Sequence, residues 1–358
     1  MPATPALRAK MDYAALTAAT PYTTSFKDAS GTATGDLDAA AIRLNMFTEL
    51  NNYMALVAVA SPATPSTLDL ARLNALYTNT GAPFAAPLLN TSGVQLRDRT
   101  AASFPAGAAA AVRTYIDGQL AILATASQSV NQTAAVGKAG RLGRYLVDAR
   151  GFETNQVVQK ALIGALLLDQ IGNVLLSSNS LAADNSKVVA GNLYSEREHN
   201  WDLAYGYLTA NATMKTDIAI MPRERFLAGY LNEKNGPASP GVYLALLKGR
   251  AAIVNNDEAT LKSQADLIRT ELERTIAKSA VSYLVNWKAA ADPAIKAHAL
   301  GEGIGFIYSL RFCAKYGADA AWADTVLNGL TSGTDGAWNL NNGHADVAIA
   351  AINSKFSL

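Results

Sequence analysis

The sequence predicts an all-α protein built as two packed helical bundles. Three observations carry this expectation. Apolar residues recur at three- and four-residue intervals along every long segment of the chain's second half. No segment alternates apolar and polar residues with period two between turn signals, as a sheet requires. Half of the 358 residues are hydrophobic and only 16% are charged, which supplies a sizeable core.

Residues 1–35, rich in Pro, Thr, Ala and Gly, read as an extended N-terminal arm laid over the surface. Asp36 then precedes LDAAAIRLNMFTELNNYM, where Leu37, Ala41 and Leu44 share a helical face and an Asp before the run suits an N-cap. The segment TLDLARLNALYTNTG repeats that logic, with Pro65 ahead of it and Gly81 closing it. From Gly81 to Gly107 the chain reads as loop, and AGAAAAVRTYIDGQLAILATA as a third helix. The Gly- and Arg-containing stretch VNQTAAVGKAGRLGRYLVDARG lacks the pattern of a phosphate-binding loop and reads as a solvated connection.

VVQKALIGALLLDQIGNVLL is the most apolar segment, but Gln159, Lys160, Asp169, Gln170 and Asn173 interrupt it. A spanning helix needs roughly 20 apolar residues with few such groups. The segment therefore predicts a buried central helix and no transmembrane segment. In DEATLKSQADLIRTELERTIAKSAVSYLVNW a stripe from Leu261 through Ala265, Ile268, Leu272, Ile276 and Ala280 to Trp287 faces inward. Lys262, Asp266, Arg269, Glu273 and Lys278 face elsewhere. The expected organisation is the arm, a first helical lobe over 36–190 and a second over 191–358.

A net charge of +1 gives no reason to expect nucleic acid as a partner. The single cysteine, Cys313, rules out an intramolecular disulfide and sits in an apolar run as a small buried hydrophobe. The N-terminus lacks the basic start and apolar core of a signal peptide and reads as a mature start.

Two helices concentrate the chemistry. NLYSEREHNWDLAYGYL places Glu196, His199, Trp201, Asp202 and Tyr205 within ten residues, and Gly206 on the stripe of His199 and Asp202. KAHALGEGIGFIYSLRF repeats the theme with His298, Gly301, Glu302 and Gly305. Glycine inside a helix costs about 1 kcal/mol relative to Ala, a cost that makes sense where another backbone must come close. The expectation is that these two helices pack on each other through Gly206, Gly301 and Gly305. That packing would gather His199, Asp202, His298 and Glu302 into one cluster.

Two readings of such a cluster stay open: a hydrogen-bonded polar seam, or a site for a ligand or for Fe or Zn. No H-E-x-x-H, G-x-S-x-G or complete pair of E-x-x-H motifs is present. His344 reads as an exposed residue near the start of the last helix, and the Trp201, Tyr205, Tyr207 and Trp338 rings as core rather than a sugar platform.

EREHNWDLAYGYL, with the later HALGEGIGFIYSL and the earlier RLNMFTELNNYM, resembles an uncharacterised family of bacterial extracytoplasmic lipoproteins carrying a domain of unknown function. That family is similar in style to the imelysin-like proteins, two helical bundles with a G-x-H-x-x-E motif. Here His199 is followed by Asp202 and preceded two places earlier by Arg197, so the motif departs at both ends. The resemblance implies a periplasmic or outer-membrane-anchored lipoprotein. Together with the missing catalytic motifs, it favours a non-enzymatic cell-envelope binding or structural protein without a cofactor, whose partner is a small molecule, ion or envelope component. The alternative it leaves is an imelysin-like iron-associated protein or metallopeptidase using His199/Asp202 and His298/Glu302.

Overall fold

Asp36 sets where the first long helix begins. Its Oδ1 accepts the amide of Asp38 at 2.9 Å, and the helix runs Asp38–Met54. The computed structural model describes residues 7–58, 64–236 and 239–358. Further helices follow at Leu70–Thr78, Ala106–Ser127 and Thr154–Leu162, the last continuing as a π-helix through Leu175. Then come Glu196–Leu208, Phe226–Asn235, Ser239–Asn255, Glu258–Ala289, Pro293–Ser309, Ala320–Thr331 and Asn342–Phe356.

The all-α expectation holds. Among the described residues the only sheet is an antiparallel hairpin, Gly140–Leu142 with Tyr145–Val147. This hairpin corrects the reading of that stretch as a solvated connection: Leu146 and Val147 are buried. Strands of three residues are too short to show an alternating pattern. The stretch read as loop also carries short helical turns at Pro87–Asn90 and Arg97–Arg99.

Contact density divides the chain into two units, each drawing on separated stretches where the sequence suggested consecutive lobes. The first comprises the chain up to Leu44 with Gln170–Thr275, the second Asn45–Asp169 with Ile276–Leu358. In the first unit the described part of the N-terminal arm is not merely laid on the surface. Tyr22 and Phe26 have no exposed area and join Trp201, Tyr205, Leu246 and Ile268 in the core. The long stripe Leu261, Ala265, Ile268, Leu272, Ile276, Ala280 is buried as expected, but Glu273, expected on the outer face, is buried too.

In the second unit the helix Pro293–Ser309 lies along the helix that starts at Thr154. Small residues four apart form its contact ridge. A Cβ on Gly301 would sit 2.9 Å from the Glu153 carbonyl oxygen, and one on Gly305 2.6 Å from Lys160 Cβ. At the next position in the ridge the hydroxyl of Ser309 enters the neighbouring helix's hydrogen-bond ladder. An α-helix would pair the Gly164 amide with the Lys160 carbonyl. Here Gly164 N–H donates to Ser309 Oγ at 3.1 Å, and Ser309 Oγ–H donates to the Lys160 carbonyl at 2.7 Å. Insertion of a side chain into the ladder is a recognised cause of local widening, and the π-helical stretch starts next to this point, at Ile163. Gly164 makes room for it, since a Cβ there would lie 2.3 Å from Ser309 Cβ.

One helical span among the described residues, Thr154–Leu175, is long and apolar enough to cross a membrane, yet 83% of its most apolar stretch is buried inside the protein. Cys313 is buried and in no disulfide, and His344 is exposed beside the Asn341 cap of the last helix.

The glycine ridge makes a paired prediction. Gly305→Ala gains helix propensity of about 1 kcal/mol but must push apart two packed backbones, for a net loss of about 1–3 kcal/mol. Gly118→Ala, in the helix Ala106–Ser127 with nothing within 4 Å of its added Cβ, should gain up to about 1 kcal/mol. Urea midpoints of the two variants against the parent check both signs.

Candidate functional site

The helix Glu196–Leu208 starts at a reciprocal cap. Ser195 Oγ accepts the Glu198 amide at 3.2 Å, and Glu198 Oε2 accepts the Ser195 amide at 2.8 Å. The same carboxylate then enters a buried ion network. Arg8 donates to Glu198 through Nε and Nη2, both at 2.6 Å. Arg250, on the helix Ser239–Asn255, donates from Nη1 to Glu198 Oε1 at 2.7 Å and from Nε to Asp202 Oδ1 at 2.8 Å. Its remaining Nη2 reaches Thr34 Oγ1 at 3.2 Å, and its guanidinium lies 5.0 Å from the Phe26 ring centre. Tyr22 donates its hydroxyl to Asp202 Oδ1 at 2.7 Å while stacking on Tyr205 at 3.9 Å.

Two guanidiniums thus face two carboxylates, and the charges balance out of water. Burial alone would raise the pKa of Glu198, but the hydrogen bond from Arg8 and the field of Arg250 hold it below its ordinary value. Burial opposes the charge of Arg250 as well, yet Asp202 and Glu198 raise its pKa. Burial, with Asp202 adding, pushes the Tyr22 phenol well up, so it remains a neutral donor. All four carboxylate oxygens are engaged: Glu198 Oε1 by Arg8 and Arg250, Oε2 by Arg8 and Ser195, Asp202 Oδ1 by Tyr22 and Arg250, and Oδ2 by the Asp36 amide at 3.4 Å. Chemically this cluster holds chain segments together.

The expected partnership of His199 with Asp202 does not form. His199 stacks on Tyr194 at 4.3 Å, and its Nδ1 lies 3.9 Å from Asp36 Oδ2. Three residues apart, the two share a helical face, but the guanidinium of Arg250 takes the buried carboxylate instead. Glu196 is exposed. Trp201 is buried, donates Nε1–H to the Leu246 carbonyl at 2.9 Å and fills the space above Gly249. Tyr205 donates to the Asn211 carbonyl at 2.6 Å.

The second histidine has a different setting. His298 Nδ1 lies 2.6 Å from Glu153 Oε2, its Nε2 lies 3.5 Å from Glu302 Oε2, and its ring stacks on Tyr145 of the hairpin at 4.3 Å. Lys160 Nζ closes the group at 3.0 Å from Glu302 Oε1. Glu153 has no exposed area and its Oε1 has no hydrogen-bond partner, whereas His298 keeps 28% of its side chain exposed. Burial alone would lower the pKa of His298; the hydrogen bond it donates to Glu153 and the charges of Glu153 and Glu302 raise it instead. The cluster favours a proton on the His298 imidazole, whose exposed edge can exchange it with solvent.

Each histidine therefore finds its partners within its own unit. Gly206 meets Leu37 and Ala40, and Gly301 and Gly305 meet the segment Glu153–Ala161, in place of the expected mutual packing. Of the four residues expected as one cluster, His298 and Glu302 are brought together as a local pair. Among the described residues no group of three or more His, Cys, Asp or Glu side chains is arranged to hold a metal ion. Around Glu302 the ammonium of Lys160 already occupies a cation's place.

Arg8, Glu198, Arg250, Glu153 and Lys160 were not singled out from sequence as site residues. Two carried a signal. Arg250 and Lys160 are charges inside apolar runs, ALLKGRAAIV and VVQKALIGA, and a charge on a buried face demands a partner.

Removing one partner of the ion network should be costly. Arg250→Met keeps the apolar stem but leaves two buried carboxylates short of a cation, for an expected loss of about 3–5 kcal/mol in denaturant unfolding. The second cluster predicts a pH dependence. A histidine whose pKa is raised in the fold contributes stability that is complete below its unfolded value near 6.5 and is lost as pH rises through the raised value. The urea midpoint should therefore fall as pH rises above the ordinary histidine value near 6.5, and His298→Gln should flatten that slope.

No curated protein and no solved structure matches the chain. A family model matches over residues 21–358, and the chain belongs to the family it describes, a domain of unknown function (DUF4856).

Proposed function

We propose that this protein is a non-enzymatic binding or structural module of the bacterial cell envelope, carried as a periplasmic or outer-membrane-anchored lipoprotein. The envelope part of this reading rests on the sequence resemblance to extracytoplasmic lipoproteins. The non-enzymatic part rests on one observation, the saturation of Glu198 and Asp202 by Arg8, Arg250, Tyr22 and backbone amides. A catalytic carboxylate needs an oxygen within reach of substrate or metal, and on Glu198 and Asp202 none is left over.

An imelysin-like iron protein or metallopeptidase would have to recruit His199/Asp202 and His298/Glu302 as ligands. A metal would then compete with Arg250 for Asp202 and with Lys160 for Glu302, each a bonded cation already in place.

Elemental analysis of protein purified without chelators tests the choice. Less than about a tenth of an equivalent of Fe or Zn per chain is the expected outcome. A stoichiometric metal that disappears in His298→Gln would overturn the non-enzymatic reading in favour of the iron-associated one. Fractionation of cells expressing the full-length gene product tests the location: recovery with the envelope membranes, in a form bearing covalent lipid, is expected.

A further inference from the structure

Within the first unit, the 176–182 segment, the start of the His199 helix and the outer flank of the Glu258–Ala289 helix enclose a groove of about 420 Å³. That size falls within the roughly 300–1,000 Å³ of small-molecule sites. Leu176, Leu181 and Ala265 give it an apolar lining, and Leu176 and Ala265 belong to the buried core beneath.

The charges around it do not cancel. Arg197 is committed, donating Nε–H to the Ala183 carbonyl at 3.0 Å and pairing with Glu258. Asp266 is the other carboxylate at the groove, set against two further cations, Lys262 and Arg269. These two lie seven residues apart, hence on one helical face, with the apolar lining beside them. Lys262 is exposed. Arg269 Nε is buried and has no hydrogen-bond partner. A buried guanidinium N–H without an acceptor is a donor that an incoming anion would satisfy.

We propose that this groove binds an amphiphilic anion, a single negatively charged head on an alkyl chain. The chain lies over Leu176, Leu181 and Ala265, and the head sits at Arg269 and Lys262. Apolar lining alone would take a neutral chain, and the one excess positive charge alone would take any small anion. Their adjacency selects a molecule carrying both. Such a head and chain come either as a free fatty acid or as an anionic lipid of a bilayer. The inference rests on the reading of the protein as a binding module, and supplies a ligand class for it.

Isothermal calorimetry of the full chain with decanoate below its micellar range is the test, with acetate and decanol as the separated halves. Decanoate should bind one to one, and acetate and decanol about tenfold more weakly or worse. Arg269→Met should weaken decanoate by about tenfold, and Lys262→Met by a smaller factor in the same direction. Lys27→Met, at a different groove, should leave it unchanged. Circular dichroism of each variant checks that the fold is intact.

Co-sedimentation with phosphatidylglycerol vesicles separates the sources. Vesicle binding lost in Arg269→Met assigns the head to a bilayer lipid; decanoate binding without vesicle binding assigns a free amphiphile. Neither decanoate nor vesicle binding, binding indifferent to Arg269→Met, or acetate or decanol binding as tightly as decanoate would overturn the proposal. These outcomes do not touch the metal content of the protein, so this inference and the non-enzymatic reading fail separately.

Discussion

The first unit depends on one buried guanidinium. Arg250 has no exposed surface, and its donors reach Thr34, Glu198 and Asp202, from two chain segments more than 150 residues apart. An unpaired guanidinium in that position would be prohibitive, so the core forms only when the arm and the Glu196–Leu208 helix arrive together. Arg8 and Tyr22 complete the network from the arm, which explains why a stretch rich in Pro, Thr and Ala is ordered into the core at all. Such networks add little stability over a well-packed apolar core, but they penalise every arrangement that leaves one member unpaired. In this unit they specify register.

The second unit solves the same problem with backbone proximity. Gly301, Gly305 and Ser309 form one ridge of small residues, and the helix starting at Thr154 lies against it closely enough for Ser309 to enter its hydrogen-bond ladder. At the N-terminal end of that ridge the same closeness delivers Glu153 to His298 and Lys160 to Glu302. The polar cluster is thus a product of the glycine contact. The two features are one device, and a bulkier residue at Gly305 would disturb both.

How much of this was legible follows from the range of each interaction. The Glu258–Ala289 stripe could be read because a period of 3.6 persists over many turns. The His298–Glu302 pair could be read because four residues is local to a helix. That glycines on these stripes admit a close neighbour was also legible. Which neighbour was not, since Gly206 and Gly301 would look the same against any helix. Arg8 and Glu198 are 190 residues apart, and Glu153 and His298 145, and nothing in a single sequence ties such distant charges together. The π-helical stretch was hidden for the same reason: its cause is a hydroxyl 145 residues downstream of Gly164. The hairpin escaped because each strand offers only three residues of pattern.

The polar segment EREHNWD invites a reading as an active centre because acids, a histidine and an indole crowd into seven residues. Apart from His199, whose buried Nδ1 has no hydrogen-bond partner, its chemistry in the fold is largely consumed. Glu198 caps a helix and pairs two arginines, Asp202 pairs one arginine and a tyrosine, and Trp201 fills the space over Gly249. A group whose hydrogen-bonding capacity is fully used within the core has none to lend a ligand, however suggestive its side chain. Capacity is left over elsewhere: on the exposed edge of His298, whose buried partner Glu153 keeps one oxygen unpaired, and on Arg269, whose Nε faces no acceptor. Glu198, Asp202 and Trp201 are residues the fold has used on itself, and function is to be sought where donors and acceptors remain unmatched.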